Sequence, residues 1–376
     1  MKLGVITTSY PRFAGDPAGS FVAGHVAALR ALGHTVEVIA AGAARGHAAG
    51  DAIGHAAGDA ARGVVRVGGA GLFYTGGAPD ALERAPFRAG ASAIAFTARL
   101  AAAVASHARG WDAILAHWLA PSAIAALPSR APLLAIAHGG DIYTLRRLHL
   151  LAPALHLLHR RDARLVFVSA ELRAIARAAA PALATWLDAA VIQPMGIDLA
   201  RFAALGRAPD HPPIVLVAAR LVPIKGVDVA IAALPHVARA ARLVIAGDGP
   251  ERARLARSAA PDARIQLLGQ VTTDRRDHLL RTASVVVIPS RVLPSGRTEG
   301  TPTLALEALA AGVPVIASAV GGLRQLPAVH LVPPGDPRAL AAAIGLVLAD
   351  PPDPDVLRKT VAGLDWREVV PRLIRE

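Results

Sequence analysis

Two carboxylates, Glu299 and Glu307, bracket the segment Glu-Gly-Thr-Pro-Thr-Leu-Ala-Leu-Glu. Residues 285–288 read as a short buried strand, 289–298 as a loop, and 303–311 as a helix with Gly312 past its end. Thr301 suits the N-cap and Pro302 the first helical position. A helix start of this kind offers backbone N–H groups and the positive end of a dipole. Glu299 stands just before it and Glu307 just inside it, so an anion and hydroxyl groups could be held together there. Molecules that are both anionic and rich in hydroxyls include the nucleotide sugars.

Two other segments have the same context. Arg220-Leu221-Val222-Pro223-Ile224-Lys225-Gly226 follows an apolar run at 214–219, and Gly247-Asp248-Gly249-Pro250-Glu251 follows another at 242–246. All three segments follow strands and open helices. In a parallel α/β sheet they converge at the carboxyl edge, where such sheets bind ligands. Lys225 is one of only three lysines, with Lys2 and Lys359, in a chain that otherwise uses arginine.

The elements that must position these residues alternate between strand and helix patterns, which predicts parallel sheets covered by helices on both faces. Strands are expected near 3–7, 35–40, 64–68, 112–116, 133–137, 164–168 and 190–193 in the first half. In the second half they are expected near 214–219, 242–246, 264–268, 285–288, 313–317 and 329–332. Polar, proline-bearing residues 206–213 form the expected linker between a domain at 1–205 and one at 214–355. With 376 residues, 53% of them hydrophobic, the chain can build two cores.

Composition also excludes some chemistry. The chain has no cysteine, so disulfides, thiolate metal sites and thiol nucleophiles are excluded, and a reducing compartment fits. Met1-Lys2 leads straight into a strand pattern, so no secretory signal is expected. No uncharged apolar run reaches the ~18 residues of a membrane span. The net charge of +12 is compatible with nucleic acid, anionic lipid or phosphorylated substrates. An aromatic content of 4% and the lack of a basic stripe with interleaved aromatics argue against nucleic acid. The repeat Gly46-His47-Ala48-Ala49-Gly50-Asp51-Ala52, recurring at 54–60, reads as a low-complexity surface loop rather than a metal site. Asp353-Pro354-Asp355 lies in a proline-rich connector, so no metal site is expected there either.

Taken in order, these motifs resemble the retaining GT-B glycosyltransferases of family 4. The resemblance rests on the Arg220 to Gly226 stretch, the Gly-Asp-Gly-Pro turn and the Glu-x7-Glu element. It is supported by His117-Trp118, His138-Gly139-Gly140-Asp141, 168–173 and 195–202. It implies two Rossmann-like domains facing across a cleft, with a tail at 356–376 crossing back onto the first. The implied activity is transfer of a hexose from a nucleotide diphosphate sugar to a hydroxyl acceptor, possibly lipid-linked, with retention and without a metal or other cofactor. Without a divalent ion the protein must stabilise the leaving diphosphate itself, and Arg220 and Lys225 are the residues for it. The resemblance further implies that Glu307 accepts from the ribose, that Glu299 and the backbone of Gly300, Thr301, Pro302 and Thr303 hold the sugar, and that Gln270-Val271 meet the base. Gly247 belongs to the donor site by the same likeness, and His138 contacts the donor sugar.

The first turn, 9–19, departs from the family pattern, because Gly15 and Gly19 are separated where relatives have adjacent glycines. Gly19 remains the donor-side glycine of that turn. Arg12 either meets an anionic acceptor or is a solvated arginine, and Asp141 either binds acceptor or caps the helix that follows. Residues 145–161 combine Leu, His and Arg in a basic amphipathic pattern that Pro153 should kink or interrupt. They either rest on an anionic membrane, which would put a cytoplasmic protein at the inner face of the plasma membrane, or face the first domain's core. The rival functions are a sugar-nucleotide epimerase or hydrolase on the same fold and a non-enzymatic nucleic-acid-binding protein.

Overall fold

Alternation along the strands dictates which helices cover which face. In the second half Leu216, Val244, Val286, Ile288 and Val315 are buried in one cluster, with residues of helices Thr273–Thr282 and Thr303–Ala310. Their neighbours Val215, Val217, Leu243, Ile245, Val285 and Val287 are buried in another, with helices Val227–Ala233 and Pro337–Ala349. A strand that buries both faces reads as an unbroken apolar run, which is why these segments are Val- and Ile-rich. Each fully buried Val, Leu or Ile contributes about 1.5–3 kcal/mol over its exposed state.

The structure is a computed structural model and describes residues 1–42, 59, 62–74, 77–237 and 240–375. The 46–60 repeat therefore lies outside the described residues except for Asp59, which pairs with Arg66. The first unit carries β1 (Lys2–Thr7), β2 (Thr35–Gly42), β3 (Val64–Gly69), β4 (Ala113–His117), β5 (Leu133–Ala137), β6 (Arg164–Phe167) and β7 (Val191–Ile192). The second carries β8 (Ile214–Ala218), β9 (Arg242–Ala246), β10 (Ile265–Gly269), β11 (Val285–Ile288), β12 (Val315–Ser318) and β13 (Val329–Val332). Every strand falls within about two residues of its expected bounds.

The sheets are ordered β3-β2-β1-β4-β5-β6-β7 and β10-β9-β8-β11-β12-β13, and their described pairings are parallel. In each, the chain reverses its direction of travel across the sheet at one place: between β1 and β4, and between β8 and β11. Loops leaving the carboxyl ends of adjacent strands diverge at such a switch point and leave a crevice.

Two expectations change. Contacts divide the chain into Met1–Pro194 and Met195–Glu376, rather than at 206–213. Ile197 and Phe202 already sit in the second unit's core, and the linker residues Ala208 and Asp210 donate their N–H groups to the Arg281 and Thr282 carbonyls. Residues 145–161 are not one helix kinked at Pro153. The break lies at 148–150, where His149 takes a φ of 57°, between helices Gly140–Arg147 and Leu151–Arg160. Pro153 sits in the first turn of the second helix, where its missing N–H costs nothing. Helix Pro86–His107 is long and apolar enough by length and composition to cross a membrane, yet its charged residues leave no uncharged run of ~18 residues in it, as expected. It carries Arg88 and Arg99, and its Ala89, Phe96, Leu100 and Val104 are buried.

Gly226 shows how closely the loops approach at the second switch point. Its φ is 58°, and a Cβ built there would stand 2.0 Å from the Pro289 carbonyl oxygen. Gly226→Ala is therefore expected to destabilise the chain by about 2–3 kcal/mol. Urea unfolding checks this, and an unchanged midpoint would contradict the packing described.

Candidate functional site

The loops leaving β8, β9, β11 and β12 are stitched together by main-chain hydrogen bonds. The Leu221 N–H donates to the Asp248 carbonyl at 2.9 Å, and the Arg291 N–H to the Ile224 carbonyl at 2.8 Å. The Gly322 N–H donates to the Glu299 carbonyl at 3.2 Å. Gly247 has a φ of 142°, and a Cβ there would meet the Ala219 oxygen at 1.8 Å. Gly321 has a φ of 51°, and a Cβ there would meet the Glu299 oxygen at 1.9 Å. These contacts bring the three predicted segments to one sheet edge.

At the switch point itself the Lys225 Nζ donates to Glu299 Oε2 at 2.7 Å, joining the loop after β8 to the loop after β11. The Ser290 hydroxyl donates to the same oxygen at 3.0 Å. Side-chain exposures of 18% for Lys225 and 14% for Glu299 leave the pair partly desolvated. Burial opposes the charge on Glu299, but Lys225, Ser290 and the nearby Arg220 outweigh it and hold the carboxyl below its usual range. Because both contacts fall on Oε2, among the described residues Oε1 is available to accept from a hydroxyl. Lys225 has two further donor positions, and Arg220 is exposed beside it. A fixed carboxylate next to two cations can grip a hydroxyl and an anion at once.

Helix Thr303–Ala310 begins one position later than its expected cap. Pro302, with ψ of 124°, is the N-cap, and Thr301 stands before it. Proline's fixed φ already supplies the turn into the helix, so no side-chain cap is used. At the far end Gly312 adopts a φ of 74°, and the Val313 N–H returns to the Ala308 carbonyl at 2.8 Å, as expected of a glycine stop. Gly300 and Thr301 lie against Gly322, and Thr303 opens the helix.

Glu307 is buried on that helix, 3.3 Å from the Arg276 guanidinium. Burial raises its pKa, Arg276 and Arg201 oppose the rise, and Asp277 adds to it. Arg201 in turn grips Asp277 at 2.5 Å. Val271, just past β10, packs its side chain against the core.

In the first unit His138 follows β5 and is half-buried. Its Nε2 lies 3.0 Å from His117 Nδ1, and His117 Nε2 lies 3.1 Å from His25 Nδ1. The Phe21 ring packs on both His117 and His138. Gly19 caps helix Ser20–Ala31 with a φ of 69°, against the Ser9 carbonyl.

Arg12 and Asp141, each open to an acceptor or a local role, have partners close by in the fold. The Arg12 Nε donates to buried Asp16 at 2.7 Å, and its guanidinium lies over the Tyr74 ring at 4.4 Å. Its charge is already matched within its own turn. Asp141 is buried and accepts from the backbone N–H groups of Leu119, His138, Gly139 and Ile142. This carboxylate organises the turn around His138.

Ser290, Arg276, Gly321, Gly322 and His25 were not legible as site residues. Gly321-Gly322 carries the strand-then-glycine signal used for the other loops. Ser290, Arg276 and His25 carry no local sequence signature of a site, and the contacts that tie them to it, to Glu299, Glu307 and His117, are made in the fold.

Burial lowers the His25 pKa to about 4 and, with help from His25, the His138 pKa to about 3. The unfolded chain therefore takes up protons first, so stability is intact above pH ~6.5 and falls as the pH drops towards 4. His25 alone accounts for on the order of 3 kcal/mol of that loss. Thermal unfolding across this window should show a shallower pH dependence in His25→Asn than in the wild type, and an equal slope would contradict the burial of a neutral imidazole.

Residues 212–350 match the family described as "Glycosyl transferases group 1". An uncharacterized glycosyltransferase of Methanocaldococcus jannaschii is 35% identical over 150 residues, covering 38% of this chain and 37% of that protein. Phosphatidyl-myo-inositol mannosyltransferase of Mycobacterium leprae is 32% identical over 168 residues, covering 41% and 42%. The chain thus spans about two fifths of the length of these curated relatives. The crystal structure of Anabaena HepE in complex with UDP matches the whole fold, covering 100% of this chain and 99% of that one with a TM-score of 0.68 at 17% identity. Residues 212–350 of the second unit thus match the glycosyl transferases group 1 family, and the chain as a whole has a GT-B-like fold of two parallel sheets.

Proposed function

We propose that this chain is a retaining glycosyltransferase that moves a hexose from a nucleotide diphosphate sugar to a hydroxyl acceptor without a divalent metal. The observation that carries the reading is the Lys225–Glu299 pair at the β8/β11 switch point, with Arg220 exposed beside it. Arg220 and Lys225 neutralise the diphosphate as the sugar bond breaks, acting where negative charge develops. Glu299 and the backbone of 300–303 hold the sugar, Glu307 accepts from the ribose, and the main chain at Val271 meets the base. Anabaena HepE, the same fold, has been crystallised with UDP and with UDP-glucose, which supports a nucleotide-sugar donor.

Retention follows in this reading from transfer on one face of the sugar, with the leaving phosphate oxygen accepting the acceptor's proton. Peripheral contact with an anionic membrane on the inner face of the plasma membrane is part of the proposal. It is supported by Leu148, Leu150 and Leu157, which are exposed beside His and Arg residues while Leu151, Leu155 and Leu158 are buried. Co-sedimentation with anionic liposomes at low salt tests it.

Arg220→Ala or Lys225→Ala is expected to lower turnover by about 10²–10³. Glu307→Ala should mainly weaken donor binding, by about 1.5–3 kcal/mol in calorimetry. Near-normal turnover in the folded cation variants would remove their role. Product analysis separates the rivals, because an epimerase or hydrolase releases an epimer or free sugar from the donor alone.

A further inference from the structure

His25, His117 and His138 come from three different elements, yet their ring nitrogens meet in sequence. The His117 and His138 planes are 14° apart with centroids at 5.1 Å. A nitrogen separation of 3.0 Å is too short for face-to-face stacking and accounts for most of that centroid distance, so the rings meet edge to edge in nearly one plane. In that arrangement the lone pair of one nitrogen faces the N–H of the other. The His25 and His117 rings, 76° apart with centroids at 5.2 Å, are twisted about a second nitrogen–nitrogen contact of 3.1 Å.

We infer that these three histidines form a tautomer-locked chain in which His25 and His117 are positioning residues that decide which hydrogen-bonding face His138 presents. A neutral imidazole has one donor and one acceptor nitrogen. If His117 donates from Nδ1 to His138 Nε2, its own Nε2 must accept from the His25 Nδ1–H. All three rings then carry their proton on Nδ1, and His138 presents an N–H at its outer nitrogen. If the direction reverses, all three carry it on Nε2, and His138 presents a bare acceptor at Nδ1. A mixed set would put two protons or two lone pairs against each other in a buried place and forfeit a hydrogen bond there.

Burial keeps the rings neutral at pH 7, with His25 and His138 lowered to about 4 and about 3 and His117 held well below its ordinary value. The tautomers of His25 and His138 are thereby coupled through His117, and His138 is the residue assigned to the sugar pocket. The inference rests on the proposed function only for that assignment, because the lock itself is a property of the three rings.

The test is a long-range proton–nitrogen correlation spectrum of the full chain labelled with ¹⁵N-histidine at pH 7, with the three rings assigned by single substitutions. The expected result is one neutral tautomer shared by all three rings. His25→Leu should shift the His138 nitrogens from that pattern towards an averaged one. His25→Asn, whose amide can donate or accept near the former Nδ1 position, should restore it. Mixed tautomers in the wild type, or an imidazolium, would overturn the inference. So would an unshifted His138 in a His25→Leu chain that keeps its unfolding midpoint. Should His25→Leu not fold, the wild-type and His25→Asn spectra still decide. A chain that showed the lock but bound no nucleotide sugar would leave the inference standing and remove the donor reading.

Discussion

The second unit depends on bringing two main-chain loops into contact at the place where the sheet changes direction. The loop after β8 and the loop after β11 must approach closely enough for Lys225 to reach Glu299 at 2.7 Å. Gly226 makes that approach possible, because a Cβ there would overlap the Pro289 carbonyl oxygen, and Gly321 allows the same closeness between the loops after β12 and β11. Gly247 does the same between β9 and β8. The ion pair is a device of position more than of stability, since the desolvation of two partly buried charges offsets most of their attraction. What it secures is a carboxylate and an ammonium fixed at a sheet edge with bonding capacity to spare.

The first unit uses a different solution around its own crevice. Asp141 gathers four backbone N–H groups and fixes the turn that carries His138. Phe21 packs on that imidazole, and the buried histidines behind it stay neutral. One unit therefore offers fixed charge and the other offers uncharged hydrogen-bonding groups.

The sheet architecture was legible in the sequence because strands buried on both faces leave short Val- and Ile-rich runs, and helices fill the intervals between them. The segments after β8, β9 and β11 were legible for the related reason that glycines, a proline and charges cluster where those runs end. The rest depends on contacts between residues far apart in the chain. Arg12 pairs with Asp16 only because the loop folds back on itself, and nothing in its spacing distinguishes that from a solvated arginine. Asp141 reads as a cap from its position, but its role as a hub needs the Leu119 N–H from another element. The Thr301 cap failed because Pro302, next in line, adopts the cap conformation on its own. Pro153 failed because the chain breaks at His149 first and leaves the proline at a position that tolerates it.

The measurement that reaches the central claim most directly is calorimetric titration of UDP, GDP and ADP, each free and as its common sugar conjugates, into the full chain in EDTA. The account predicts saturable one-to-one binding of one nucleoside diphosphate and its sugar. No heat of binding from any of them, with the chain folded, would contradict the assignment of the Lys225–Glu299 edge as a nucleotide-sugar site.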